Sequence, residues 1–257
     1  MSGDFGWLQA LASLALVCAA VAVSRWKRLE AERSIVWASL RAAAQLIAVG
    51  LGFGLIFESA HAMTWAWAWV VGMTALSAEV VARRARRVPR LRLYALAALA
   101  LAVAATLLIL FGLGVFEMAP VTLVVLAGIT LGNLIGSTVQ AADAAARELV
   151  DERLRVEGLL ALGFDAAGAS RMAARSAIRT ALLPQIERTK VIGLIALPGT
   201  MTGMLLAGSE PLTAVLVQLV VTYVVLGSVG VAAAVVVTAV AAGAFTRDLR
   251  LAGWVRD

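Results

Sequence analysis

Seven stretches of this chain are runs of apolar residues that show no strand-like alternation: residues 7–24, 35–57, 63–82, 93–116, 120–140, 191–207 and 212–243. Most approach the roughly 20 residues needed to cross a hydrocarbon core about 30 Å thick. A membrane-spanning strand would need only about 10 residues and would alternate in polarity. Backbone groups in lipid must find their hydrogen bonds within the segment, so the runs are expected to be helices. The pattern predicts an all-α integral membrane protein. It is read as a polytopic bundle of seven transmembrane helices in a single domain.

The charges fall on one side of that pattern. The chain has 22 Lys and Arg residues against 16 Asp and Glu, a net charge of +6. Arg25 to Arg33 follow the first run, with Arg41 just inside the second, Arg83 to Arg92 follow the third, Arg147 to Lys190 the fifth, and Arg247 to Arg256 the last. The gaps after runs two, four and six hold Glu58, His61, Glu117 and Glu210 and no Lys or Arg. Cationic loops stay in the cytoplasm during insertion. The N-terminus is therefore expected outside and the C-terminus inside, in a plasma (cytoplasmic or inner) membrane. Because topology accounts for the positive charge, nucleic acid is not an expected partner. Anionic lipid headgroups are.

Residues 7–24 are preceded by Asp4 and followed by Arg25, the reverse of a secretion signal, so they are read as a retained span. Cys18 is the sole cysteine, which excludes an intramolecular disulfide and a cysteine-based metal cluster.

The one large gap, about 141–190, predicts a cytoplasmic helical elbow. Helix is expected to continue from the fifth span through Leu162 and to end at Gly163, where a left-handed cap is common. Asp165 is a suitable N-cap for a second helix, and Pro184 is expected to mark its end. Arg171, Arg175 and Arg179 recur every fourth residue as a basic stripe. The elbow is expected to lie against the inner leaflet.

Within the spans, polar residues are few. Gly128, Gly132 and Gly136 form a stripe that would let another helix approach closely. Beside it run Thr130, Asn133, Ser137 and Gln140 on a second face. Asn133 either hydrogen-bonds a neighbouring helix or lines a hydrated path, and the residues leave both open. Trp37, Arg41 and Gln45 share a face of the second span. Glu79, four residues before Arg83, is placed for an intrahelical ion pair. Pro198-Gly199 interrupts the sixth run, and interrupted spans often line a pathway. Thr200, Met201 and Met204 follow. Thioethers suit soft ions such as copper(I), and methionine also fills gaps in packing. His61 and Glu58 alone do not make a metal site, so any metal ligands remain unknown.

The chain has only Lys27 and Lys190, and neither follows a GxxxxG loop, so there is no phosphate-binding loop for ATP. No Ser/His/Asp arrangement can be built around His61. An enzyme is not expected, and no cofactor is expected on this chain.

The run from Glu157 to Gly163 looks like the coupling loop of ABC transporter permeases, although Leu159 stands where that loop has a second small residue. The stretches beginning at Arg41, Ala127 and Ser176, the last running to Gly203, resemble the FetB-type permeases, as does the segment around Ala207–Pro211. That resemblance covers nearly the whole chain. It implies a permease that exports iron or another metal ion, paired with a second permease and energised by a separate cytosolic ATPase that uses ATP. It places ATPase contact at Glu157 and Gly163, with Arg171 and Arg175 alongside. The candidate path is Thr130, Asn133, Ser137, Gln140, Arg41, Gln45, Pro198, Gly199, Thr200, Met201 and Met204. Two other readings stand beside it: a secondary transporter or channel working without ATP, and a membrane scaffold that docks a cytosolic partner.

Overall fold

The computed structural model describes residues 12–246 and 248–256, and everything below concerns those residues. The start of the first apolar run, residues 7–11, lies outside them. The described chain is helical, with two isolated bridges, and falls into two units, 1–62 and 63–257.

The first unit is a helical hairpin of α1 (Leu14–Trp26) and α2 (Glu32–Phe57). Buried Ser24 organises the turn. Its hydroxyl donates to Glu32 Oε1 at 3.0 Å and accepts from the Ala31 N–H at 3.2 Å. The apolar window of α2 has no buried residue, as expected of a surface meeting lipid tails.

The second unit holds α3 (Ala62–Arg84), α4 (Leu91–Gly112), α5 (Pro120–Asp151), α6 (Arg153–Ala161), α7 (Ala166–Val191), α8 (Gly199–Leu206), α9 (Pro211–Ala242) and α10 (Gly253–Arg256). α9 is the central post, packed on α4, α5, α7 and α8. Apart from Gln218 its buried residues are small or β-branched: Ala214, Thr222, Ser228, Ala232, Ala233 and several valines among them. Small side chains let backbones approach, and dispersion then holds helices together where lipid offers no hydrophobic drive. Glu79 ties α3 to α4 by accepting from Arg83 at 2.7 Å and pairing with Arg92 at 3.3 Å.

Five helices are long and apolar enough to cross a membrane: α2, α3, α4, α5 and α9. The other two expected spans differ. The described part of the first is the 13-residue α1. The run 191–207 is not one helix. A turn closed by the Gly193 N–H donating to Ala196 O at 2.9 Å separates α7 from the eight-residue α8. Eight residues rise only about 12 Å.

The elbow also departs from expectation. Helix does not run unbroken to Leu162, because Glu152 breaks it into α5 and α6. Gly163 ends α6 with φ +89°, and Asp165 caps α7 by accepting from the Gly168 N–H at 2.8 Å, both as anticipated. Pro184 does not end α7, which continues to Val191. α7 is also no detached connector. Ala169, Ala173, Ala177 and Ala181 form a buried stripe, and the helix packs along α5 and α9. Ser176 Oγ donates to Glu148 Oε1 at 2.6 Å and fixes its register on α5.

Candidate functional site: a polar cavity at the broken helix

The end of α7 brings charge into the bundle. Arg188 NH1 donates to Asn133 Oδ1 at 3.4 Å, near the middle of the 32-residue α5. Asn133 Nδ2 donates to Ile129 O at 2.8 Å, which turns its carbonyl oxygen toward the arginine. Arg188 is exposed, and the space it faces is a cavity of about 450 Å³. Its polar lining is Asn133, Gln185, Arg188, Thr200, Gln218 and Thr222. That volume falls in the roughly 300–1,000 Å³ range of small-ligand sites.

A second cavity of about 720 Å³ lies beside the first and shares Gly132, Asn133, Gln185 and Arg188 with it. It runs along α5 past Ser137 and Gln140 to Asp143, Arg147 and Arg84. The Arg188–Asn133 contact therefore stands in the wall common to both spaces. One end of the pair of cavities meets α8 and α9, the other the arginine-rich ends of α3 and α5.

Each local feature has a sequence cause. Gly128 and Gly132 line the first cavity and Gly132 and Gly136 the second. A Cβ at Gly132 or Gly136 would meet nothing within 4 Å, and one at Gly128 would meet only Met73 Cε at 3.6 Å. Within this chain the glycine stripe leaves open space beside α5. Pro198 is extended at the start of α8 (φ −66°, ψ 151°), and it lines the first cavity together with Gly199 and Thr200. Gln218 and Thr222 are one turn apart on α9. Gln218 Nε2 donates to Thr222 Oγ1 at 3.1 Å, and Thr222 Oγ1 donates to Gln218 O at 2.8 Å.

Of the expected path residues, Asn133, Pro198, Gly199 and Thr200 meet at the first cavity, and Asn133, Ser137 and Gln140 line the second. Thr130 does not join them. It is fully buried and donates to Leu126 O at 2.8 Å, because it stands on the packed side of α5. Met201 and Met204 are half-buried on α8 and outside both linings. Arg41 and Gln45 are exposed on α2 in the first unit, where they share a shallow groove with Trp37. Arg188, Gln185, Gln218 and Thr222 were not anticipated as site residues. A Gln–Thr pair one turn apart in an otherwise apolar helix was the available signal for the last two.

The coupling candidates stand on the α6–α7 hairpin. Glu157 is exposed, as are Arg171 and Arg175. Val156 is buried and anchors α6, and the Arg155 guanidinium lies against Met172 Sδ on α7. Leu154 and Leu162 are each 77% exposed, so the hairpin presents apolar as well as charged surface.

Comparison with known proteins gives the family. The profile of an uncharacterised protein family, UPF0014, matches residues 7–245. The chain belongs to that family. It is 33% identical over 223 residues to the UPF0014 membrane protein STAR2 of Oryza sativa subsp. japonica, covering 87% of this chain and 78% of that one. It is 28% identical over 216 residues to the Escherichia coli protein named probable iron export permease protein FetB, covering 84% and 83%. It is 29% identical over 223 residues to the Arabidopsis thaliana protein ALUMINUM SENSITIVE 3, covering 87% and 81%. No solved structure matches the chain. This UPF0014 member is a multi-pass membrane protein.

Proposed function

We propose that this UPF0014 protein is the transmembrane subunit of an ATP-driven exporter, with a metal as cargo and iron favoured. The observation that carries the reading is its likeness to the E. coli protein named a probable iron export permease, across 83% of that protein. The family match, residues 7–245, takes in every residue of the cavity.

In this reading the chain crosses the plasma membrane seven times, N-terminus outside. The sixth crossing is composite. The last turns of α7 carry the chain up to Asn133, and the turn before Pro198 and α8 complete the passage. A separate ATPase docks on the cytosolic α6–α7 hairpin at Glu157, Gly163, Arg171 and Arg175, and two permeases work with two ATPases. α7 supports such coupling physically, because one rigid helix runs from the docking hairpin to Arg188 at the cavity. A rigid-body push on the hairpin moves Arg188 against Asn133. The cavities then open in turn on either side of that contact, which is alternating access about a central site.

The test is to co-express the chain with an ATPase encoded beside it and reconstitute the pair in liposomes. Iron is expected to stimulate ATP hydrolysis over a concentration series. Absence of stimulation at any concentration would remove iron from the proposal, and failure of the two proteins to associate would remove ATP coupling.

A further inference from the structure

The α1–α2 hairpin carries cationic groups that no acid in the described chain answers. A groove of about 530 Å³ lies between its two helices. Arg25, Glu32 and Arg33 line the end nearest the turn, and Val21, Val36, Trp37 and Leu40 line the rest. Trp37 and Leu40 also border the shallow groove that continues along α2 past Arg41. Among the described residues no carboxylate pairs with Arg25, Arg33 or Arg41. Glu32 is half-buried, and its Oε1 accepts from the Ser24 hydroxyl.

Arg33, Trp37 and Arg41 recur every fourth residue and share one face of α2. Arg41 stands about 12 Å beyond Arg33 along the helix. It lies inside the apolar run 35–57. A charge at that depth is costly unless it snorkels to the interface or meets a counter-charge. The two connected grooves thus put cationic groups beside an apolar floor on one face of the hairpin.

These surroundings select the occupant. A soluble anion answers the arginines but leaves Val36, Trp37 and Leu40 against water. A second copy placed on this face by a twofold axis sets arginines against the same arginines. A zwitterionic lipid covers the floor, but its own cation offsets its phosphate. A phospholipid of net negative charge answers both demands. The guanidinium fork matches phosphate oxygens in pairs, and basic pockets between spans on the cytoplasmic side take anionic headgroups.

We propose that the α1–α2 groove binds one anionic phospholipid. Arg25 and Arg33 hold its phosphate, Arg41 snorkels toward the same headgroup, and an acyl chain lies over Val36, Trp37 and Leu40. The proposed orientation places this end of the hairpin at the inner leaflet. The site needs neither cargo nor an ATPase, so it stands or falls apart from the transport reading.

The purified full-length protein is placed in nanodiscs of equal parts phosphatidylglycerol and phosphatidylcholine, and the lipids it retains are counted by native mass spectrometry. Phosphatidylglycerol is expected to be retained in preference. Arg25→Gln with Arg33→Gln is expected to lower its retention at least about tenfold, and Arg41→Gln about fivefold. Arg25→Lys with Arg33→Lys keeps the charge and most of the retention, and serves as the folded control. Arg87→Gln with Arg90→Gln, in the α3–α4 loop, is expected to change nothing. Equal retention of the two lipids would overturn the proposal, as would retention indifferent to Arg25→Gln with Arg33→Gln. An equal loss from the α3–α4 loop variant would move the site there and remove it from the hairpin. Displacement of the lipid by millimolar inorganic phosphate would make the occupant a soluble anion, and a dimer that retains no lipid would make it a second copy. Either result overturns the proposal.

Discussion

Arg188 and Asn133 are 55 positions apart in the chain and meet at 3.4 Å in the wall shared by two cavities. An arginine inside a membrane bundle is costly unless it is paired or hydrated, and such residues mark pathways. Asn133 supplies the pairing. Asn133→Leu keeps the branched shape and removes the amide, leaving Arg188 without this partner. ATP hydrolysis stimulated by cargo is expected to fall at least about tenfold, the effect of losing a charge-assisted hydrogen bond. Association with the ATPase is expected to persist, as judged by co-purification. Preserved stimulation would favour a scaffold that only docks a partner.

Gly132 borders both cavities and has open space where a Cβ would stand. A bulky residue there fills the path without displacing a packed neighbour. Gly132→Leu is expected to abolish transport in liposomes while leaving the thermal unfolding midpoint close to that of the unsubstituted protein. A large fall in the midpoint would return the glycine stripe to a packing role.

Gly163 ends α6 with φ +89°, and its N–H donates to Leu160 O at 3.0 Å. A Cβ in that left-handed conformation costs about 1–2 kcal/mol. Gly163→Ala is therefore expected to loosen the hairpin. Limited proteolysis between residues 151 and 166 should speed up about tenfold, and affinity for the ATPase should fall. Unchanged proteolysis and unchanged affinity would detach this turn from coupling.

The proposed orientation puts the α6–α7 hairpin in the cytosol. With Cys18→Ser as background, Arg155→Cys and Arg171→Cys are expected to resist a membrane-impermeant thiol reagent applied to intact cells. Glu58→Cys, Glu117→Cys and Glu210→Cys are expected to react. Labelling of position 155 or 171 from outside would invert the topology and remove the hairpin as an ATPase dock.

Much of this architecture is visible in hydropathy, because a lipid-facing helix must be apolar over its whole length. The long helices α2, α3, α4, α5 and α9 therefore stand out. The α6–α7 corner is legible for a local reason: Gly163 and Asp165 act through their own backbone and nearest neighbours. α7 is harder to read. Its Ala169–Ala181 stripe has little hydropathy of its own, and Arg171, Arg175 and Arg179 sit beside it at the same spacing. The arginines suggest a surface connector, while the alanines pack it into the bundle. Pro184 suggests a helix end, yet the neighbouring helices hold the chain helical through it to Val191. Asn133 was singled out by its depth in the fifth run. Arg188 and Gln218 were not, because their role depends on three helices meeting, which no local pattern encodes.

In the proposed function cargo moves through the Arg188–Asn133 cavity when a separate ATPase drives it. The most direct measurement is flux of iron across liposomes holding the permease and its ATPase, with and without ATP on the ATPase side. The account predicts flux that requires ATP and is lost in Asn133→Leu. Flux that proceeds at full rate without ATP, or that is untouched by Asn133→Leu, would contradict it.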